Sequence, residues 1–397
     1  MDRLRAVITA LENNEPSPEL SILHSKVARL SWGMWELDAV GDAAAHALRI
    51  AEAAGDESAL VEAETWQGLW LSEIGRDTEA LVVFGDAITQ AESSLPGSAP
   101  YIALVCAGES CLRLGQFLPA LDYWKRAFTV RERTGGPDTV SFDLANLAEV
   151  QTLLGNWKDA RAAVERGVSI EARRNVSWTS TYPTLLAGSL EFLEGNVDAA
   201  EQLASEGLVM AERTHDAQGL HMARKLLGQV EWRRGRTEAA LALLTPLLSD
   251  PQTPNPQTAF AAPLVIEALL DIGAVEQAGA MAAEAVEQAI RRNHELALVD
   301  LLRARGLVLR RQGLREDAGH AFEASVTLAR QMPYPYAEAR ALHVWGEMLI
   351  TDGAKQEGLT RLGEALTIFQ RLGARLDSEE TEQAMTALSE TINTGGR

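Results

Sequence analysis

The sequence predicts an all-α solenoid of about nine antiparallel helix pairs with a period of roughly forty residues. Three observations carry this. Glycines that suit a turn fall at Gly41, Gly75, Gly115, Gly155, Gly195, Gly235, Gly273, Gly313 and Gly353, at successive spacings of 34, 40, 40, 40, 40, 38, 40 and 40. Seven places before the last eight stand Gly68, Gly108, Ala148, Gly188, Gly228, Ile266, Gly306 and Gly346, of which only Ile266 is large. Five places after the same glycines come Ala80, Ala120, Ala160, Ala200, Ala240, Ala278, Ala318 and Gly358. Small residues on both sides of a turn let two helices approach closely, so each glycine joins the two helices of one pair.

Along the chain, residues 1–20 are expected to form a capping helix and linker. Met1 to Asn14 is amphipathic, and the prolines of Glu15-Pro16-Ser17-Pro18 forbid its continuation. Residues 21–375 form the array. Its first repeat, His24 to Ala54, is irregular: Gly33 lies eight places before Gly41, and no alanine stands five after it. Repeats two to nine run to about Leu372, and Gly306 to Arg330 (GLVLRRQGLREDAGHAFEASVTLAR) shows the pattern in full, with bulky Phe322 nine and small Ser325 twelve places after Gly313. Gly228 and Ala240 are expected to face each other across the turn at Gly235. Breaker-rich connectors at 94–100, 134–138, 250–258 and 332–336 read as loops. Residues 376–397 read as a C-terminal capping helix, ending near Ile392, with a frayed tail.

The order small, turn glycine, alanine, bulky, small resembles the tetratricopeptide repeat with lengthened helices. Long units of this kind resemble the MalT-like signal-sensing arm of bacterial STAND regulators, and EALTIFQRLGARLDSEETEQAM is similar to the tail of such arms. The resemblance implies a right-handed superhelix whose concave groove binds a protein or peptide segment. This chain carries neither a GxxxxGK[ST] phosphate loop nor a helix-turn-helix unit after the array.

Composition narrows the function. A net charge of −20 opposes a broad nucleic-acid or anionic membrane surface, since both require positive charge. No run of eighteen apolar residues and no signal-peptide core occur, so a cytoplasmic setting is expected. Cys106 and Cys111 lie five apart on one helix and on different faces, which argues against a disulfide. None of the seven histidines stands three or four residues from another histidine or a cysteine, and no GxSxG elbow is present. The expectation is a protein without catalytic residues, metal or cofactor. Trp124 and Trp157 occupy packing positions, and Trp66 and Trp70, four apart, fill the junction with the first repeat.

Candidate binding residues follow from the resemblance, which implies that the first helix of each pair lines the groove with positions thirteen, ten, six, three and two before the turn glycine. Those positions give Glu62, Glu73, Glu109 and Glu149 early. Phe142, Tyr182, Leu185, Phe192, Trp232 and Phe260 follow in the middle, and Lys225, Arg233, Arg303, Arg310, Arg311, Arg340 and His343 come later. The groove would grade from acidic through aromatic to basic. In this reading Arg303, Arg310 and Arg311, assisted by Arg340 and by Lys225 or Arg233, hold a carboxylate, a phosphate or an acidic peptide segment. Tyr182, Phe192 and Trp232 offer an aromatic alternative. The competing arrangement has the arginines paired with Glu267, Asp271, Asp300 and Glu347. The main expectation is an interaction scaffold. The alternative is a sensor arm that encloses an anionic metabolite, for which a closed pocket of about 300 to 1,000 Å³ would be needed.

Overall fold

The computed structural model describes residues 15–34, 36–94, 100–134, 140–173, 181–248 and 256–394. The helix expected over 1–14 and most of the three connectors at 94–100, 134–138 and 250–258 lie outside them. The described residues form nine helix pairs and a closing helix. The pairs are α1 (Pro18–Gly33) with α2 (Leu37–Ala54), α3 (Glu57–Glu73) with α4 (Asp77–Ser94), and α5 (Tyr101–Arg113) with α6 (Phe117–Thr134). Next come α7 (Val140–Leu153) with α8 (Trp157–Arg173), α9 (Tyr182–Leu193) with α10 (Val197–Thr214), and α11 (Ala217–Arg233) with α12 (Thr237–Leu244), which ends in a 3₁₀ turn, Thr245–Leu248. The last pairs are α13 (Pro256–Asp271) with α14 (Val275–Arg291), α15 (Glu295–Arg311) with α16 (Arg315–Gln331), and α17 (Pro335–Thr351) with α18 (Lys355–Leu372), followed by α19 (Arg375–Thr394). The closing helix therefore starts at Arg375, within the last few residues assigned to the array from sequence.

The turns explain the period. At Gly75 the backbone is left-handed, φ +82°, and the Arg76 N–H reaches back to the Leu71 carbonyl at 2.8 Å, closing a Schellman-type stop that only a residue free of a Cβ adopts cheaply. The seven later turn glycines share the positive φ, from 69° to 93°. Gly41 does not. It lies inside α2, buried, where a Cβ would come within 2.5 Å of the Trp70 indole. The first turn is instead closed by the Glu36 N–H on the Ser31 carbonyl at 3.0 Å. That bond sits forty residues before the equivalent bond at Arg76. In that register Ala28 stands where later repeats have their small residue, but Val40 and Ala44 stand where they have alanine and a bulky side chain, so the first repeat keeps the forty-residue period and not the full pattern.

The small positions also work differently from the expected glycine–alanine contact. A Cβ on Gly228 would meet Leu244 at 2.6 Å, and one on Gly68 would meet Phe84 at 2.6 Å. Gly108 likewise receives the Trp124 ring, Gly306 the Phe322 ring and Gly346 Leu362. Each recipient lies seven before its turn and each filler nine after it, so the glycine is a socket for the bulky residue of the partner helix, and at Gly346 the small residue five after the turn, Gly358, shares the contact at 2.9 Å. Ile266, the one large residue at the socket position, shares a buried cluster with Ala282, which holds the filler position of the same pair. Volume is conserved across the pair, as close packing requires.

The chain divides into two compact units: residues 1–137 with 292–294, and residues 138–291 with 295–397. The single array read from sequence is thus built as two bodies. In the first, a core runs from Ala28 and Val40 through Trp66, Leu69 and Phe84 to Leu104 and Ala127, passing between helices that neighbour one another in sequence. Trp66 and Trp70 belong to that junction, Trp70 seated over Gly41. In the second unit one cluster joins α7–α11 to α16–α18, residues far apart in sequence. The Gly155 turn faces the side chains of Pro335 and Leu372. Tyr336 lies 5.8 Å from the Trp157 ring and 5.9 Å from the Phe369 ring. Arg375 donates from Nη2 to the Gly195 carbonyl at 2.8 Å, and Arg233 pairs with Asp377 at 3.4 Å and Glu380 at 3.3 Å. The last repeat therefore returns to the turns of α7–α8 and α9–α10, and the second unit closes on itself.

Candidate functional site

Beside that closure lies a half-open cavity of about 190 Å³ in the second unit, lined by the first helices of its six pairs. α7 contributes Glu149, Thr152 and Leu153; α9 contributes Leu186, Ser189, Phe192 and Leu193. α11 adds Lys225 and Gln229, and α13 adds Ala259, Phe260, Pro263 and Leu264. Asp300 and Arg303 come from α15, and Tyr334, Tyr336 and Arg340 from the start of α17. Relative to the turn glycine, the wall moves from six, three and two places before it on α7 to thirteen or more on α17. The cavity thus crosses the helices obliquely. An outer groove of about 610 Å³ lies at the C-terminal ends of α11, α13, α15 and α17, lined by Trp232, Glu267, Asp271, Arg310, Arg311 and Glu347 among others.

Between the two lies a buried ionic cluster. Arg303, only 2% exposed, donates to Glu267 at 2.7 Å and to Asp300 at 3.2 Å; Arg340 approaches Glu267 at 3.4 Å and Asp300 at 3.6 Å. Two arginines and two acids make a neutral set. Burial works against the Arg340 charge, but Glu267 and Asp300 more than offset it and raise its pKa. Such a cluster costs desolvation energy and fixes geometry more than it adds stability. Pro263 adds a backbone feature: it lacks an N–H, so the Ala259 carbonyl in the cavity wall is left without its i+4 helical donor.

The sequence-derived candidates separate into four groups. Arg303, Arg340, Lys225 and Phe192 face the inner cavity, whereas Arg310, Arg311 and Trp232 line the outer groove. Arg233 instead serves the closure through Asp377 and Glu380. Tyr182 is in the core, 7% exposed, with its ring 5.5 Å from Phe142 and its hydroxyl donating to Glu149. Arg303 and Arg310 therefore do not converge on one anion. The expected basic end of the groove is neutralised, because Arg303 and Arg340 are held by Glu267 and Asp300, and Arg310 lies 3.6 Å from Glu347. Trp232 donates from Nε1 to Asp271 at 2.7 Å. Tyr334, Tyr336, Pro263 and Gln229 were not singled out from sequence. The Met332–Tyr336 stretch reads as a loop, yet α17 begins at Pro335, and the proline at its first position is the signal that could have turned the tyrosines inward.

The first unit contains a different polar centre. Arg113, 4% exposed, binds Asp77 at 2.7 Å, Ser72, and Glu109 at 2.9 Å, and Ser72 meets Ser110 at 3.0 Å. Burial and then the Glu109 charge push Glu73 up to about 7. Burial pushes both thiols up, Cys111 to about 12, so neither is an activated nucleophile. Among the described residues no group of three or more histidine, cysteine or acidic side chains could hold a metal ion, and no helix is long and apolar enough to cross a membrane.

Residues 101–170 match the tetratricopeptide repeat family, and all nine described pairs share their turn register. The fold is an all-α solenoid of tetratricopeptide-like helix pairs. A Rap protein complexed with competence and sporulation factor superposes on 90% of this chain over 99% of its own, with a TM-score of 0.66 and 14% identity. The Rap conjugation gene regulator of plasmid pLS20, in complex with the Phr* peptide, covers 90% of this chain and 97% of its own at TM-score 0.61 and 12% identity. Human IFIT1, in a dimer with PPP-AAAA, covers 92% of this chain and 82% of its own at 0.52 and 13%. At these identities the likeness is one of fold. No curated protein matches the chain in sequence.

Proposed function

We propose that this tetratricopeptide protein is a regulatory scaffold whose second unit binds a short peptide in extended form along its inner helices. The observation that carries the reading is the pair of cavities on shared helices. The inner cavity, about 190 Å³, falls below the roughly 300 Å³ at which pockets for drug-sized ligands begin. It suits one or two residues of a chain rather than a whole metabolite. Phe192, Phe260, Leu186 and Tyr336 offer apolar contact there, while Gln229, Ser189 and the Ala259 carbonyl offer partners to a main chain. The outer groove, about 610 Å³, offers paired charges to the residues that follow. Two structural neighbours, the Rap proteins, are in complex with a peptide or a competence and sporulation factor, which supports the same occupant here. A regulatory role without catalysis and a cytoplasmic setting fit the resemblance to STAND sensing arms and the acidic, cysteine-poor composition.

The test is retention of a randomised heptapeptide pool on the purified chain by size exclusion, with mass-spectrometric sequencing of what co-elutes. Enrichment of a subset is expected, and Gln229→Trp, which fills the inner cavity, should remove it. Retention unchanged by that variant would place binding elsewhere, and retention of small cell metabolites in place of peptides would favour the sensor-arm alternative.

A further inference from the structure

Pro263 stands in the interior of α13, ten places before the turn glycine Gly273. Lys225 of α11 and Arg303 of α15 hold the same place before Gly235 and Gly313, and all three line the inner cavity. A proline supplies no N–H and its ring crowds the carbonyl one turn earlier, so a helix interior keeps one only at a cost in stability. That carbonyl belongs to Ala259, which lines the same wall. The cost therefore falls where α13 meets the cavity, and it leaves an acceptor there without its i+4 donor. The charges around it are matched. Arg303 and Arg340 pair with Glu267 and Asp300, and Glu149 attracts Lys225, so three cations meet three acids. With Leu186, Phe192, Phe260 and Leu264 also in the wall, the surround is neutral and largely apolar.

Resting on the peptide reading above, we propose that the Ala259 carbonyl, uncovered by Pro263, is the specificity contact of the inner cavity and accepts a hydrogen bond from an uncharged N–H or O–H of the bound peptide. Two physical terms select that class. A charged occupant would enter a balanced set of ions with nothing left to neutralise it, and an occupant without a donor would bury the carbonyl unpaired. The donor comes either from the peptide main chain or from a side-chain hydroxyl or carboxamide. Pro263 acts as a positioning residue, since its part is to deny Ala259 the helical partner. An N–H restored at position 263 closes the i+4 bond and withdraws the acceptor from the cavity.

The experiment uses three pentapeptide pools on the full chain, all acetylated and amidated so that neither end carries charge: apolar peptides, the same peptides N-methylated along the main chain, and N-methylated peptides that include Ser, Asn, Gln or Tyr. N-methylacetamide and N,N-dimethylacetamide, with and without an N–H, serve as minimal probes by NMR. The wild type is expected to retain one of the two donor-bearing pools about fivefold over the donorless pool, the effect of one neutral hydrogen bond. In Pro263→Ala that preference should fall by the same factor, with the melting temperature no lower and slow exchange of the new amide at position 263. Pro263→Val, nearer in volume, replaces it if the alanine variant is unstable. Preference for the unmethylated peptides assigns the main chain, and preference for the polar methylated ones assigns a side chain. Equal retention of all pools, a preference undiminished in the variant, or fast exchange at 263 overturns the proposal while the peptide reading stands. If no pool is retained the peptide reading falls. N-methylacetamide that then shifts residues 259–264 in the wild type alone, where N,N-dimethylacetamide does not, still supports the acceptor, and its failure to do so overturns both.

Discussion

Among the described residues each unit buries one arginine almost completely, and the two are used in opposite ways. Arg113 in the first unit sits among Asp77, Glu109, Ser72 and Ser110, the sole guanidinium of its cluster. Arg303 in the second shares Glu267 and Asp300 with Arg340 and stands in a cavity wall. The former is a rivet between successive repeats. The latter belongs to a shared set in which either arginine covers part of the acid charge if the other moves. The difference teaches that burial of a charge in such an array does not by itself mark a binding group; what matters is whether its partners are exclusive.

Removing the rivet should have the largest effect. Arg113→Met leaves Asp77, 3% exposed, facing only Ser72 and the buried His294, and is expected to lose about 3 to 5 kcal/mol. Arg303→Met should lose measurably less, because Arg340 still reaches Glu267 at 3.4 Å. Urea unfolding followed by hydrogen exchange in each unit separates the two, and equal or reversed losses would dissolve the distinction. The socket rule applies to both units alike. Gly306→Leu in the second and Gly68→Leu in the first should each lose about 1 to 3 kcal/mol through collision with Phe322 and Phe84. Adding Phe322→Ala or Phe84→Ala should recover part of the loss; strict additivity of the two changes would refute the pairing.

A smaller effect probes closure. Arg375→Ala removes a hydrogen bond to the Gly195 carbonyl, with a loss of about 1 kcal/mol. Its amide exchange should rise around Asn196 to Ala200 and stay constant in residues 57–134. The smallest effect is one of pH. Glu73 has its folded pKa raised to about 7, above its ordinary value of 4.5, so the folded first unit binds more protons than the unfolded chain between those limits. Stability of that unit should therefore decline as pH rises from 4.5 to 7 and level off above. Solvent reaching this partly exposed group, Arg113 and the Trp32 indole all moderate the slope. Glu73→Gln should flatten it, and an unchanged pH profile in that variant would assign the dependence to another group, Glu64 first, which is also raised to about 7.

Much of the fold was legible in the sequence because each repeat stabilises itself by contacts within about forty residues, and those contacts recur in register. Gly75 to Gly353, the small sockets and the bulky fillers all carry that local signal. Gly41 misled because a socket and a turn both call for glycine, and only the Glu36-to-Ser31 bond tells them apart. Closure of the second unit was not legible. It accumulates from small rotations between repeats, and nothing local in Tyr336 or Arg375 shows that Trp157 and Gly195 wait opposite. The oblique course of the cavity has the same origin. Fixed positions before the turn glycine find Arg303 and Phe192 but miss Tyr334 and Tyr336.

The exchange of size between Ile266 and Ala282 has a bearing on how such a protein changes through descent. Across these two sites sixteen residues apart the large side chain has changed helix, whereas at Gly188 and Ala204 both are small and Leu226 and Leu203 fill the space, so compensation comes from the facing site or from a neighbouring repeat. Residues facing the lumen are then free to vary on their own schedule, and lineages with little shared sequence can retain one superhelix while changing what it holds.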